Sequence, residues 1–166
     1  MSYEVNIRRL DLSAMFDLQG PDAQISQWLR ALGMSLPKHP NTRYQSDAGE
    51  AYWIGRAHWL LRTDIEREDD LLNRLQPDTG SPDVSLVLVS DVYAFFQVSG
   101  PDAHQILAVA SPLDTAPSVF PDNGATFTEA FGLKALVIRR ACGFELGFDR
   151  SYADMAADYF ERVVAS

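Results

Sequence analysis

Three histidines, one cysteine and a scatter of carboxylates are the residues here best suited to acid–base, nucleophilic or metal chemistry. Nucleophilic catalysis needs a thiol or hydroxyl beside a base. Cys142 sits in "RRACGFEL", a turn between two strands, and reads as a small packing residue. His39 lies in a proline-flanked loop, His58 on a strand before Trp59, and His104 at the opening of a helix. No two histidines stand at i, i+4, and HExxH and CxxC are missing, so the spacing of a zinc site is missing too. Asp91, Asp102, Asp114 and Asp149 each adjoin a turn or a helix start, where capping accounts for a carboxylate without catalysis. The run "DIEREDD", residues 64–70, could meet calcium or a cationic partner, but reads as the solvated start of a helix. Neither GxGxxG nor GxxxxGK occurs, and an aspartate in the first turn of a helix repels an anion there. The sequence therefore assigns no catalytic, cofactor-binding or metal-ligating residue.

Charge narrows the partners. The net charge is −9 and the isoelectric point about 4.6, with no cluster of lysine and arginine. Nucleic acid and anionic membrane, which require such clusters, are disfavoured. A lone cysteine forbids an internal disulfide and fits a reducing compartment. The longest apolar stretch, "VSLVLVSDVYAFFQV", is broken by Ser90 and Asp91 and falls short of the roughly 20 residues a span requires. The N-terminus lacks the apolar core of a secretory signal. A soluble cytoplasmic protein is expected.

The elements that would position these residues come in two rounds. "FDLQGPDA" at residues 16–23 returns as "FQVSGPDA" at residues 96–103. In each, alternating apolar residues read as a strand, and Gly-Pro-Asp turns the chain into a helix whose first position suits proline. Ile25, Trp28, Leu29 and Leu32 form the first helical stripe; Ala103, Ile106, Leu107 and Ala110 form the second. Residues 34–49 read as loop, and "EAYWIGRAHWLLRT" as a hairpin. Thr63 and Glu66 match a capping box before a helix carrying Ile65, Leu71, Leu72 and Leu75. Residues 76–83, "QPDTGSPD", are the linker candidate. Then follow strands in "VSLVLV" and "VYAFFQV", a proline-rich loop, strands in "ATFTEAF", "LKALVIRR" and "GFELGFD", and a helix from Ser151. That helix is predicted to bury Tyr152, Met155, Ala156, Tyr159, Phe160 and Val163.

The match extends beyond the corner: residues 134–138 align with 50–54 and residues 144–149 with 59–64. The expected fold is α+β, one domain spanning residues 1–166, made of two duplicated halves at about 13–76 and 84–164. Antiparallel sheets with covering helices would pack about a pseudo-twofold axis, neither half closing a core alone.

The stretches "VLVSDVYAFFQVSGPDAHQIL", "SPLDTAPSVFPDNGATFTEAF", "ALVIRR" and "GFELGFDRSYADMAADYF" resemble the gamma subunit of heterotetrameric sarcosine oxidase, and "HWLL" fits the same pattern. The resemblance covers residues 18–163 and rests on the order and spacing of its pieces. It implies the fold of the folate-binding aminomethyltransferases, which is built from two duplicated halves. It also implies a non-catalytic structural subunit packing on an alpha subunit, alongside beta and delta subunits. FAD, FMN, NAD, tetrahydrofolate and zinc would all reside on those other subunits, in an enzyme that oxidises sarcosine or another N-methyl amino acid. The stretch "EAFGLKALVIRR" has no Gly-Gly pair, and no carboxylate falls between Glu129 and Glu145, which argues against folate-dependent transfer by this chain itself. A stand-alone folate-dependent aminomethyltransferase-like protein is the alternative.

A structural subunit needs a contact surface. The proline-rich loop from Pro112 to Pro121 is the candidate, with Leu113, Val119 and Phe120 as apolar anchors held at low entropy cost.

Overall fold

The computed structural model describes residues 3–75 and 82–165. The chain is α+β, with two five-stranded antiparallel sheets and four α-helices among these residues. Its first round is β1 (Asn6–Arg9), β2 (Ser13–Gln19), α1 (Asp22–Ala31), β3 (Arg43–Ser46), β4 (Gly49–Gly55), β5 (His58–Asp64) and α2 (Glu68–Arg74). The second is β6 (Ser85–Leu88), β7 (Tyr93–Ser99), α3 (Ala103–Ala110), β8 (Ala125–Ala130), β9 (Leu133–Arg140), β10 (Gly143–Asp149) and α4 (Ala153–Ala165). A single 3-10 turn precedes each of α2 and α4.

The chain divides into two compact units, Leu12–Ser90 and a second made of Met1–Asp11 with Asp91–Ser166. The boundaries differ from the expected halves because the first strand of each round leaves it. β6 pairs with β2, and β1 pairs with β7. The sheet orders are β3-β4-β5-β2-β6 and β8-β9-β10-β7-β1, the same arrangement with the outer strand exchanged. The linker candidate lies mostly outside the described residues.

In Leu12–Ser90, β2 meets β5 over seven pairs from Ser13↔Asp64 to Gln19↔His58. Alternation turns Phe16, Leu18, Trp59 and Leu61 to one face, where Ile25 and Leu29 of α1 and Leu71 of α2 cover them. Each such side chain contributes about 1.5–3 kcal/mol on burial. β3 falls inside the stretch expected to be loop; Arg43–Ser46 lacks the apolar alternation that marks a strand and is ordered by pairing with β4. The capping box is not formed either. Thr63 ends up in β5, its Oγ1 donating to the carbonyl of Ala48 at 2.9 Å, and no side chain caps the turn after Asp64.

In the other unit, β7 meets β10 from Tyr93↔Asp149 to Ser99↔Gly143. Phe96, Val98, Phe144, Leu146 and Phe148 lie under α3 and α4. All four residues of the α3 stripe are buried as the spacing predicts. α4 is rotated from its expected face: Ala153, Ala156 and Phe160 are buried, whereas Tyr152 is 49% and Met155 39% exposed. Each unit encloses its own buried apolar cluster, to which the exchanged strand contributes: Ile7 of β1 in one and Leu86 of β6 in the other.

The recurring glycine has a local cause. Gly100 holds φ +124°, and a β-carbon there would stand 2.5 Å from the carbonyl oxygen of Glu4, at the entry to β1. Gly20 holds φ +150°, with a β-carbon 3.1 Å from the carbonyl of Asp83, at the entry to β6. Only glycine admits both the dihedral and the passing backbone.

Candidate functional site

In Leu12–Ser90 one imidazole meets a carboxylate. His58 Nε2 on β5 lies 2.8 Å from Asp17 Oδ2 on β2, and Gln19 Nε2 donates to Asp17 Oδ1 at 3.1 Å. A carboxylate-oriented imidazole is part of a hydrolytic triad, but the triad also needs a hydroxyl or thiol on the ring. Among the described residues, the only other polar contact of this ring is Gln19 Nε2 at 3.4 Å. The pair therefore ties the ends of two strands and lacks a nucleophile.

The second unit has an ion pair instead. Arg140 on β9 pairs with Glu145 on β10: Nη2 donates to Oε2 at 3.0 Å, and Nε lies 2.9 Å from Oε1 within the same ion pair. Among the described residues, no group of three or more His, Cys, Asp or Glu could hold a metal ion.

Three of the four aspartates beside turns accept hydrogen bonds. Asp102 accepts from the Glu4 amide at 2.7 Å and from Gln105 Nε2 at 3.0 Å. Asp114 accepts from the Ala116 amide at 2.8 Å. Asp149 accepts from the amide and hydroxyl of Ser151 at 2.9 and 2.6 Å. The hydroxyl first and the amide second hold its carboxyl below the usual range. His104 stands edge-on to Phe144 at 4.9 Å, and Cys142 is exposed at the β9–β10 turn.

The three anchor candidates separate. Val119 is 61% exposed, Leu113 is partly buried against the core, and Phe120 is 3% exposed and belongs to that core. Phe120 is thus no exposed anchor. The loop folds over it, Gly124 packs against its ring, and Arg139 of β9 lies over it, donating also to the Thr115 carbonyl. Proline content alone does not tell which side of a loop its aromatic residue faces.

One concavity within this second unit was not anticipated. A groove of about 640 Å³ runs between β1 and α4, floored by Val5, Ile7, Phe96, Ala157, Phe160 and Val164. Arg9 on the strand side and Glu161 on the helix side carry charge along its edge. The alternation Val5-x-Ile7 in a segment read as extended was the signal for an inward face.

No family model matches the chain, and no curated protein matches it in sequence. Among solved structures, it is similar to a chain of heterotetrameric sarcosine oxidase from Corynebacterium sp. U-96. The TM-score is 0.82 and the identity 20%, over 97% of this chain and 84% of that one. It is also similar to the glycine cleavage system aminomethyltransferase T from Bartonella henselae, with a TM-score of 0.66 and 13% identity, over 96% of this chain and 46% of that one. The chain thus spans less than half of the aminomethyltransferase. At these identities the shared property is the fold.

Proposed function

We propose that this chain is a non-catalytic structural subunit, of gamma type, in a heterotetrameric, folate-linked oxidase of sarcosine or another N-methyl amino acid. The observation that carries the reading is the fold it shares, nearly end to end, with a chain of comparable length in a heterotetrameric sarcosine oxidase. Supporting it, Asp102, Asp114, Asp149 and Glu145 are engaged by amides or arginine, and His58 lacks a nucleophile. In this reading FAD, FMN, NAD, tetrahydrofolate and zinc belong to the alpha, beta and delta subunits, the chain packs on alpha, and the complex is cytoplasmic. No helix among the described residues is long and apolar enough to cross a membrane. The matching order of elements in the two units further leads us to infer a duplicated ancestor.

The test is co-expression with candidate alpha, beta and delta subunits, followed by purification through a tag on alpha. Stoichiometric recovery of this chain, with flavin retained only on the partners, is the expected result. Stoichiometric flavin or zinc on the isolated chain, or failure to co-purify, overturns the proposal. The likeness to an aminomethyltransferase favours one rival, a stand-alone folate-dependent protein. Tetrahydrofolate-dependent turnover by the isolated chain would select that rival.

A further inference from the structure

β1 is the outer strand of its sheet and only four residues long. Leu10 donates to the Phe95 carbonyl at 2.8 Å, so alternation along the ladder directs the backbone groups of Asn6 and Arg8 toward β7 and those of Ile7 and Arg9 outward. The groove lies beside that edge, and its volume falls within the roughly 300–1,000 Å³ of functional clefts. An open sheet edge beside an apolar trough is the arrangement that receives an added strand: the backbone supplies affinity and alternate side chains fill the trough.

The charges select among occupants. Arg8 and Arg9 are adjacent and exposed in a chain whose net charge is −9. A second copy pairing through β1 would crowd four arginines onto one short contact, and opposed like charges destabilise a strand pair. An acidic segment has no such cost. Arg8 Nε donates to Gln97 at 2.8 Å and Arg9 Nη1 lies 3.3 Å from Asp154. Each guanidinium has five N–H donors, so both retain capacity for a carboxylate. Arg9 shares the groove side with Ile7 and Val5, while Arg8 points to the other face.

We propose that β1 and the groove receive an extended segment of another protein, antiparallel to β1, with the pattern acidic–acidic–apolar–any–apolar. Its two acids lie opposite Arg9 and Arg8, and its two apolar residues enter the groove opposite Ile7 and Val5. This goes beyond the oxidase reading and holds whichever complex the chain joins.

The test uses the full chain and labelled peptides followed by fluorescence anisotropy. Gly-Asp-Glu-Ile-Thr-Val-Gly should bind saturably, and Gly-Lys-Lys-Ile-Thr-Val-Gly at least roughly tenfold more weakly. The double variant R8E/R9E should reverse that preference without changing the thermal midpoint. Should the double variant fail to fold, Arg8→Gln and Arg9→Gln should each weaken the acidic peptide while leaving the lysine peptide unweakened. Replacing the peptide's Ile and Val by Ser should abolish binding. The proposal is overturned if the acidic peptide does not bind, if R8E/R9E leaves the preference intact, or if the serine peptide binds as well as the parent. No oxidase subunit enters the assay, so its outcome is separate from that of the co-purification.

Discussion

The guanidinium of Arg139 lies over the ring of Phe120, its Cζ 5.5 Å from the ring centroid. It lies 5.3 Å from that of Phe144 as well, so one buried cation is held between two aromatic rings. The ring faces offer negative quadrupole and the Thr115 carbonyl accepts a hydrogen bond, which together compensate for a charge at a residue only 7% exposed.

Phe120 should therefore behave as a core residue. Phe120→Ala is expected to cost about 3–5 kcal/mol in a urea melt, as large-to-small changes of buried aromatics do. Binding to a partner subunit should fall only in proportion to the folded fraction. A variant with an unchanged urea midpoint and selectively lost binding would restore Phe120 to an interface.

Arg139→Ala should leave the Thr115 carbonyl without this donor and the two rings without their cation, destabilising by about 1–3 kcal/mol. Arg139→Lys should recover little of it, since an ammonium cannot both lie flat between two rings and extend a fork to the carbonyl. Chemical denaturation of the two variants side by side decides the point.

Asp149 supplies a pH dependence of known sign. Its folded carboxyl titrates below the ordinary 3.8 because Ser151 donates to its charged form. A depressed carboxylate stabilises the fold above its unfolded value, and that contribution is lost as the pH falls through the folded one. Asp149→Ala should lower the urea midpoint at neutral pH, and the gap from the parent should close as the pH drops below 3.8. Asp64, the residue before the turn into α2, makes no capping bond, so Asp64→Ala should lower the neutral-pH midpoint less than Asp149→Ala.

Gly100→Ala should be the costlier of the two corner substitutions. Both glycines hold positive φ, but the new β-carbon would meet the Glu4 carbonyl at 2.5 Å in one case and the Asp83 carbonyl at 3.1 Å in the other. Dihedral strain alone is of order 1–3 kcal/mol. The excess for Gly100→Ala should appear as faster amide exchange in Asn6–Arg9, since β1 must shift to admit the methyl group.

Much of this fold was legible because Ile106, Leu107 and Phe160 carry helical spacing, and Phe16, Leu18, Phe96 and Val98 alternate. Register was harder to read. Ala51 lies opposite Leu61 and Val137 opposite Leu146, so Ala51 corresponds to Val137 and not to Ala135. The two alignments differ by two residues, which keeps every side chain on its face and leaves the pattern blind to the difference. Strand exchange was illegible for a related reason: "NIRR" and "SLVL" look extended whichever sheet they join. The groove inherits that difficulty, because Ile7 and Phe160 meet only through the exchange. Arg139 is one of two adjacent arginines near a strand end in the sequence, and the fold alone brings Phe120 and Phe144 around it.

The exchanged outer strand also sets an order of assembly during synthesis. Leu12–Ser90 is continuous, so this unit can close once its last strand has left the ribosome. Asn6–Arg9, though made first, must wait for Tyr93–Ser99 before it has a neighbour to pair with. Domains close as their parts emerge, and a waiting strand is an aggregation hazard unless charged. Its two arginines are the kind of charge that blunts an unpaired edge. The unit begun first is thus the one finished last, and removing residues 1–11 would leave Leu12–Ser90 whole while baring the flank of β7.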